Sequence, residues 1–273
     1  ARPKLIWFQF SLGLAIVLAL YRLLVNGHVR LVVDLHTKAL RRSGPVGTRA
    51  VILKVKQWAL RHCDLALVTN RENASYAERA FGVTPLVLPD PIPIVPTELL
   101  SFECDQSQYL LAICSLAEDE PLELIATLAE RLRPEFRTFV TGDSRRIEVD
   151  MLRQLSKSVD FTGWLSERDY WTRLKSASAV IVLSTEEACV PCGAYETIAL
   201  GKRPIVADDP ETRYVFGDAA IYAVLDAQDL ERCVREVAAA PNQKSARELA
   251  TFRDKWATRW QDVQKRLDAM AIR

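Results

Sequence analysis

Methionine is nearly missing from the 273 residues: only Met151 and Met270 occur, so Ala1 is no translation start and processing, trimming or truncation is expected. Glycine is sparse at 10 residues, and no G-x-G-x-x-G or Walker A loop is present, which removes the commonest nucleotide fingerprints. The three histidines stand at 28, 36 and 62, far from the single close cysteine pair, Cys189-x-x-Cys192. A structural zinc site would need a second pair or histidine partners there, and a thioredoxin-like redox motif would need a context this position does not supply. The six cysteines (63, 104, 114, 189, 192, 233) are scattered through a chain too long to need disulfide staples, so small buried packing thiols in a reducing cytosol are expected. A net charge of +1 excludes a protein built chiefly to bind the nucleic-acid backbone. With 49% hydrophobic and 26% charged residues, disordered and fibrous classes are also excluded.

The charge total hides a split. Residues 1–96 carry 13 Lys/Arg against 5 Asp/Glu, leaving 23 against 30 in the remainder. Between Leu35 and Cys63 there is no acid, but there are Lys38, Arg41, Arg42, Arg49, Lys54, Lys56 and Arg61. Such a run is either a solvated face or an attraction to anionic lipid or a phosphate-bearing substrate.

The most apolar stretch, Leu5 to Val25, is long enough to cross a bilayer. Gln9, Ser11, Gly13 and Arg22 interrupt it, and it divides into a strand-like LIWFQF and a helix-like Leu12–Val25. Asn26-Gly27, a helix stop, is followed by the strand-like RLVVDL. Strand–helix–strand with short connections predicts a right-handed crossover, with a membrane span or an interfacial helix as the competing readings.

The remainder alternates strands with helices of 8–15 residues, the signature of doubly wound parallel sheets. Pro89, Pro91, Pro93 and Pro96 form a stiff segment just where the charge changes sign. The expected organisation is a first α/β domain over residues 1–90, a linker over 91–107, a second α/β domain over 108–243 and a helical tail over 244–273 that packs back toward the first domain.

Ligands of open α/β sheets sit beyond the carboxyl ends of the strands. There the first domain offers Asp34, His36 and Thr37, then Asn70. The second offers Ser115, Gly142 with Arg145 and Arg146, then Trp164 and Leu165 after Gly163. The richest loop, Ser184–Cys192, runs into Gly193, Ala194 and Glu196. A helix starting near Cys192-Gly193 presents free N–H groups and a positive dipole end to a diphosphate. Glu196 could accept hydrogen bonds from ribose hydroxyls, and Glu186 and Glu187 from sugar hydroxyls. Glu196 could equally be an acid that stabilises its own helix, and Arg145 and Arg146 two solvated loop cations.

At this point a family resemblance emerges. Phe161-Thr162-Gly163, Ser178-Ala179, Glu196, Ala199, Gly201 and Pro204-Ile205-Val206 fill the places of the donor-binding half of a family 4 glycosyltransferase of the GT-B fold. The segment VVDLHT is similar to the family's acceptor-side strand end, and LPDPIP to its interdomain linker. The resemblance implies an α/β chain of two Rossmann-like parallel-sheet domains with a cleft between them, the first short or truncated because the opening Gly-rich βα unit is missing. Two departures stand out. Ala188 occupies the place of the first Glu of E-x7-E, with Glu187 one residue off. The loop after Ile113 carries Ser115, Glu118, Asp119 and Glu120 instead of a basic pair, leaving Arg145 and Arg146 as replacements.

The resemblance further implies a retaining, metal-independent transfer from a nucleoside-diphosphate sugar to a glycan or lipid-linked acceptor, in envelope polysaccharide or glycolipid synthesis and with no cofactor. His36, Glu187 and Glu196 take the catalytic places. Ser115, Gly142, Arg145, Arg146, Trp164, Leu165, Cys192, Gly193, Ala194 and Glu196 take the donor. Asp34, Thr37, Arg41, Arg42 and Asn70 take the acceptor, the two arginines holding a lipid phosphate. For His36 an ordinary strand-end histidine bonded to Asp34 stays open. A cytoplasmic protein in peripheral contact with anionic membrane through its basic first domain is expected. The rivals are a catalytically impaired relative that only binds, and a GT-B nucleotide-sugar epimerase.

Overall fold

The computed structural model of the chain describes residues 5–24, 29–37, 40, 46–100, 108–239 and 243–272. These form two compact units, Ala1–Asp90 with Asp254–Arg273, and Pro91–Arg253.

The first unit runs β1 (Leu5–Gln9), α1 (Leu12–Leu24), β2 (Arg30–Leu35), α2 (Arg49–Arg61), β3 (Leu65–Val68), α3 (Arg71–Phe81) and β4 (Leu86–Val87). All four strands are parallel and lie in the order β1-β2-β3-β4, so the apolar N-terminal stretch is a crossover unit. No helix among the described residues is long and apolar enough to cross a membrane. Side chains alternate across the sheet. Leu31, Val33, Leu35, Ala66 and Val68 pack beneath the helices with Phe8, Phe10, Ala15, Ala59, Leu60, Ala77 and Phe81. Val32 and Leu67 point the other way, onto Val263 and Leu267 of the last helix, α11 (Gln243–Ile272). Burial on both faces explains why these strands read as continuous apolar runs. Helix α3 has clear local causes. Asn70 accepts the Asn73 N–H at 2.8 Å as its N-cap, and Gly82 closes it in the left-handed conformation. At the opposite end of the strands, Asp64 takes Arg22, Arg30 and the Leu31 N–H at 2.8–2.9 Å. That network accounts for an arginine at the end of an otherwise apolar helix.

The second unit runs α4 (Thr97–Leu100), β5 (Tyr109–Ala112), α5 (Leu122–Leu132), β6 (Arg137–Val140), α6 (Val149–Leu155), β7 (Asp160–Phe161), α7 (Glu167–Ser176), β8 (Ala179–Val182), α8 (Cys192–Ala199), β9 (Ile205–Ala207), α9 (Pro210–Phe216), β10 (Ile221–Ala223) and α10 (Ala227–Ala239). Its six parallel strands lie in the order β10-β9-β8-β5-β6-β7. Chain order therefore reverses at β5, with β6 on one side and β8 on the other. Leu110, Ala112, Ala179 and Ile181 enter the cluster built with α5 and α10, while Leu111, Val180 and Val182 enter the one built with Trp171 and Leu174 of α7. The proline-rich segment from Pro91 counts with this second unit, as do the first turns of α11, whose Phe252 packs against Tyr195 and Phe216.

Candidate functional site

The strand-order reversal fixes where loops diverge. The loops after β5 and β8 leave adjacent strands, the place where sheets of this kind hold ligands. Both loops are tightly organised. After β5, the Glu120 carboxylate accepts from the Ser115 N–H and hydroxyl at 2.9 and 3.1 Å and from the Ala117 N–H at 3.0 Å. Asp119 then bridges to the other loop, accepting the Ser184 hydroxyl at 2.8 Å on its carboxylate and the Thr185 N–H at 2.7 Å on its carbonyl. The acids that replaced the expected basic pair are thus the struts of this loop. Each loop also holds one non-glycine residue in the left-handed region, Leu116 at φ 61° and Ala188 at φ 55°. Such strain persists where surrounding bonds over-determine it, and it clusters at functional sites.

The other predicted donor residues fall around these loops, each in a definite role. Gly142, at φ 110°, pairs with Gly163, and a Cβ there would stand 2.8 Å from Leu116 and 2.9 Å from the Cys114 carbonyl. Gly193 is equally constrained, because a Cβ would meet Ile113 at 2.7 Å. The glycine lets the start of α8 approach the ends of β5 and β8. Helix α8 begins at Cys192 after Pro191, with no side-chain cap on its first N–H groups. Arg146 leans on the Ser115 carbonyl at 3.2 Å and so belongs to the β5 loop. Arg145 does not: its guanidinium forks onto Asp143, solvent-exposed, and that pairing holds the Asp143 carboxyl down at about 2. Trp164 is 87% exposed just after Gly163, with Leu165 half-buried beside it.

Glu196 is half-buried and accepts the hydroxyl of Tyr170 from α7. Burial first, then the charge and hydrogen bond of Glu196, drive the Tyr170 phenol far above its ordinary value, so it stays a donor. Sequence reading missed Tyr170, because nothing in it shows that two residues 26 apart share a pocket. Cys192 is exposed at the start of α8, unlike the buried Cys114 and Cys233, so the expectation of buried packing thiols fails there.

A cavity of about 230 Å³ opens at the carboxyl ends of β8, β9 and β10. Ser184, Thr185, Glu186, Glu187, Cys189 and Pro191 line one side, and Asp208, Asp209, Thr212, Val224 and Leu225 the other. Asp209 caps α9 and also accepts the Ala188 N–H at 3.3 Å, pinning the strained residue. Ala188 itself is buried, while Glu187, exposed, and Glu186, half-buried, both line the cavity. Half of the lining is apolar, and Ser184, Thr185, Thr212, Asp208 and Asp209 are bonded within the protein, so Glu186 and Glu187 are the acids placed to meet a ligand there. Among the described residues no group of three or more His, Cys, Asp or Glu is arranged to hold a metal ion.

The first unit holds its own polar cluster, at the ends of β2 and β3. His36 Nε2 lies 3.5 Å from Asp34. Hydrogen bonding to Asp34 raises the imidazole pKa against the opposing effect of burial, and the charges of Asp34 and Asp90 raise it further. His36 is therefore biased toward its protonated, donor form. Thr37 accepts from the Asn73 amide at 2.9 Å, and Asn70 caps α3, so both have structural duties. Arg41 and Arg42 lie outside the described residues.

The model of the family described as glycosyl transferases group 1 matches residues 117–253. No curated protein sequence matches the chain. Among solved structures, Anabaena HepE in complex with UDP is similar at TM-score 0.77 and 15% identity, over 97% of this chain and 79% of that one. The N-terminal domain of Candida albicans trehalose-6-phosphate phosphatase is similar at TM-score 0.67 and 14% identity, over 94% of this chain and 67% of that one. A UDP-forming trehalose-phosphate synthase from Burkholderia xenovorans is similar at TM-score 0.65 and 11% identity, over 95% of this chain and 74% of that one. These likenesses show a GT-B-like fold.

Proposed function

The chain belongs to the glycosyl transferases group 1 family, and we propose that it moves a sugar from a nucleoside-diphosphate donor to a hydroxyl of a glycan or lipid-phosphate-linked acceptor, with retention and without a metal. The observation that carries the donor half is the cavity at the ends of β8–β10, lined by acidic and apolar residues beside the start of α8, which has no side-chain cap. The diphosphate lies against the first turn of α8, at Cys192 and Gly193, with Arg146 as its cation. Glu187 accepts hydrogen bonds from the sugar hydroxyls. Glu196, oriented by Tyr170, accepts from the ribose, and the backbone at Trp164 and Leu165 borders the base.

In the transfer, the bond from the anomeric carbon to the diphosphate oxygen breaks. The acceptor oxygen bonds to that carbon on the same face, and its proton goes to the departing diphosphate. Charge grows on the diphosphate as the bond breaks, so fixed N–H dipoles and Arg146 stabilise the transition state more than the ground state. His36 donates a hydrogen bond to an oxygen of the acceptor. HepE has been solved with UDP and with UDP-glucose, which supports a UDP-sugar as the first donor to try. Polysaccharide or glycolipid synthesis is the setting we assign.

A thermal-shift and hydrolysis screen of UDP-, GDP- and TDP-sugars tests this reading. One nucleotide class should raise the Tm of the wild type, and less so that of Glu196→Ala. A folded chain that no nucleotide stabilises contradicts it. A second reading, donor binding with impaired turnover, is favoured by the closure of Arg145 on Asp143. Nucleotide stabilisation with neither hydrolysis nor transfer would select it.

A further inference from the structure

We infer that the cavity at the ends of β8–β10 selects donors by the charge of their sugar: it takes a sugar without an acid group and refuses a uronate. This deepens the reading above, on which it rests for the place of the donor sugar.

The lining of the cavity is one-sided in charge. Glu186, Glu187, Asp208 and Asp209 face the space, and no Lys, Arg or His stands among the lining residues. The four acids are not equivalent. Asp208 is matched by Arg213, whose guanidinium forks onto its carboxylate and packs 4.6 Å from the Tyr222 ring. Asp209 is committed to backbone, accepting the Glu211 N–H at 2.8 Å and the Ala188 N–H at 3.3 Å. The carboxylates of Glu186 and Glu187 bond to no described residue. Arg213 is therefore occupied, and two negative charges are left open to whatever enters.

Those two charges sit on a braced turn. The Glu186 N–H donates to the Ser184 hydroxyl at 3.1 Å, which donates in turn to Asp119 at 2.8 Å. The Glu186 carbonyl accepts the Cys189 N–H at 3.3 Å, and the next residue but one, Ala188, is held at φ 55°. A segment fixed in this way does not withdraw its acids at no cost. Val182, Ala207, Ala223, Val224 and Leu225 supply the apolar part of the lining, which offers a carboxylate no donor.

The chemistry of the sugar decides what such a lining accepts. A hydroxyl donates to a carboxylate, whereas a uronate carboxylate only accepts, so it would meet two acceptors of its own charge. A cleft lined by one sign of charge concentrates its field on the ligand, and an unfavourable charge pairing is how a site rejects a near-identical competitor. The diphosphate and the nucleoside are common to all donors, so the discrimination lies at the sugar.

Isothermal titration of the full chain with UDP, UDP-glucose and UDP-glucuronate tests the inference, because the two sugars differ only in a hydroxymethyl against a carboxylate. UDP-glucuronate should bind about tenfold more weakly than UDP-glucose, and the gap should shrink as salt rises. Glu186→Gln with Glu187→Gln should bring the two donors within about twofold of each other. Equal or tighter binding of UDP-glucuronate to the wild type would overturn the inference, as would a gap that persists in the folded double variant. Should that variant fail to fold, a wild-type gap that salt does not shrink would overturn it. The two claims fall separately. UDP binding without preference between the sugars sinks this inference alone, whereas no binding of UDP or of either sugar removes the donor reading and this inference with it.

Discussion

The two sheets of this chain are built from the same parallel βα units and differ in the direction they grow. In the first, order follows sequence from β1 to β4, so the described helices between its strands line one face and α11 covers the other. In the second, order reverses at β5, the loops after β5 and β8 are tied together through Asp119, and a cavity opens beside them at the ends of β8, β9 and β10. Exposed apolar side chains follow that difference. In the first unit most lie along α1 and α2, whereas in the second Val224 and Leu225 rim the cavity and Trp164 stands beside the Gly142–Gly163 bridge. The second unit carries a cavity at its strand ends, and the first carries an open helix face. The predictions below press on that contrast.

The largest effect belongs to the crevice. Gly142→Ala puts a methyl against Leu116 and the Cys114 carbonyl at a positive φ. Strain and overpacking together should cost about 4 kcal/mol in urea unfolding. A loss near zero would mean that the loops are looser than their hydrogen bonds indicate.

The second compares two leucines of the first unit. Leu267→Ala, in the layer under α11, should cost about 3 kcal/mol, as a buried leucine does. Leu20→Ala, on the open face of α1, should cost about 0.5 kcal/mol or less in the absence of lipid. Equal costs would show that something covers α1 in the free protein.

A smaller effect is expected from Tyr170→Phe. Removing the hydroxyl leaves Glu196 without this donor and should cost about 1–2 kcal/mol. It should also weaken donor binding, because the carboxylate is no longer held in place. Unchanged affinity would remove Glu196 from the ribose.

The smallest concerns pH. His36 has a raised folded pKa, so its pairing with Asp34 adds stability that is fully present below the ordinary imidazole value and is lost as pH rises through the folded value. Asp34→Asn should lower the His36 titration midpoint, read by NMR, and flatten that part of the stability profile. A midpoint that does not move would mean that Asp34 is not the cause.

Much of the fold was legible because local signals were strong. Helices Arg71–Phe81 and Glu167–Ser176 have caps, Asn70, Gly82 and Ser166, that mark their ends in sequence. Strands were less sharply bounded. Tyr109–Cys114 reads as one apolar run, yet pairing stops at Ala112, where Cys114 turns to bond Thr141. The short helix Thr97–Leu100 was hidden by the prolines before it. The site was legible only as a set of loops. Which loops touch depends on strand order, which no local pattern encodes, so the bond from Ser184 to Asp119, 65 residues away, could not be foreseen. The pairing of Arg145 with Asp143, two residues upstream, is local by contrast.

Hydrogen exchange of the full chain with and without saturating UDP-glucose tests the central claim, that the donor is held at the ends of β8–β10 beside the start of α8. Protection should appear in residues 141–146, 162–165, 184–194, 207–212 and 223–225 and leave α1 and α2 unchanged. Protection confined to the first unit, or none at a concentration that raises the Tm, would contradict it.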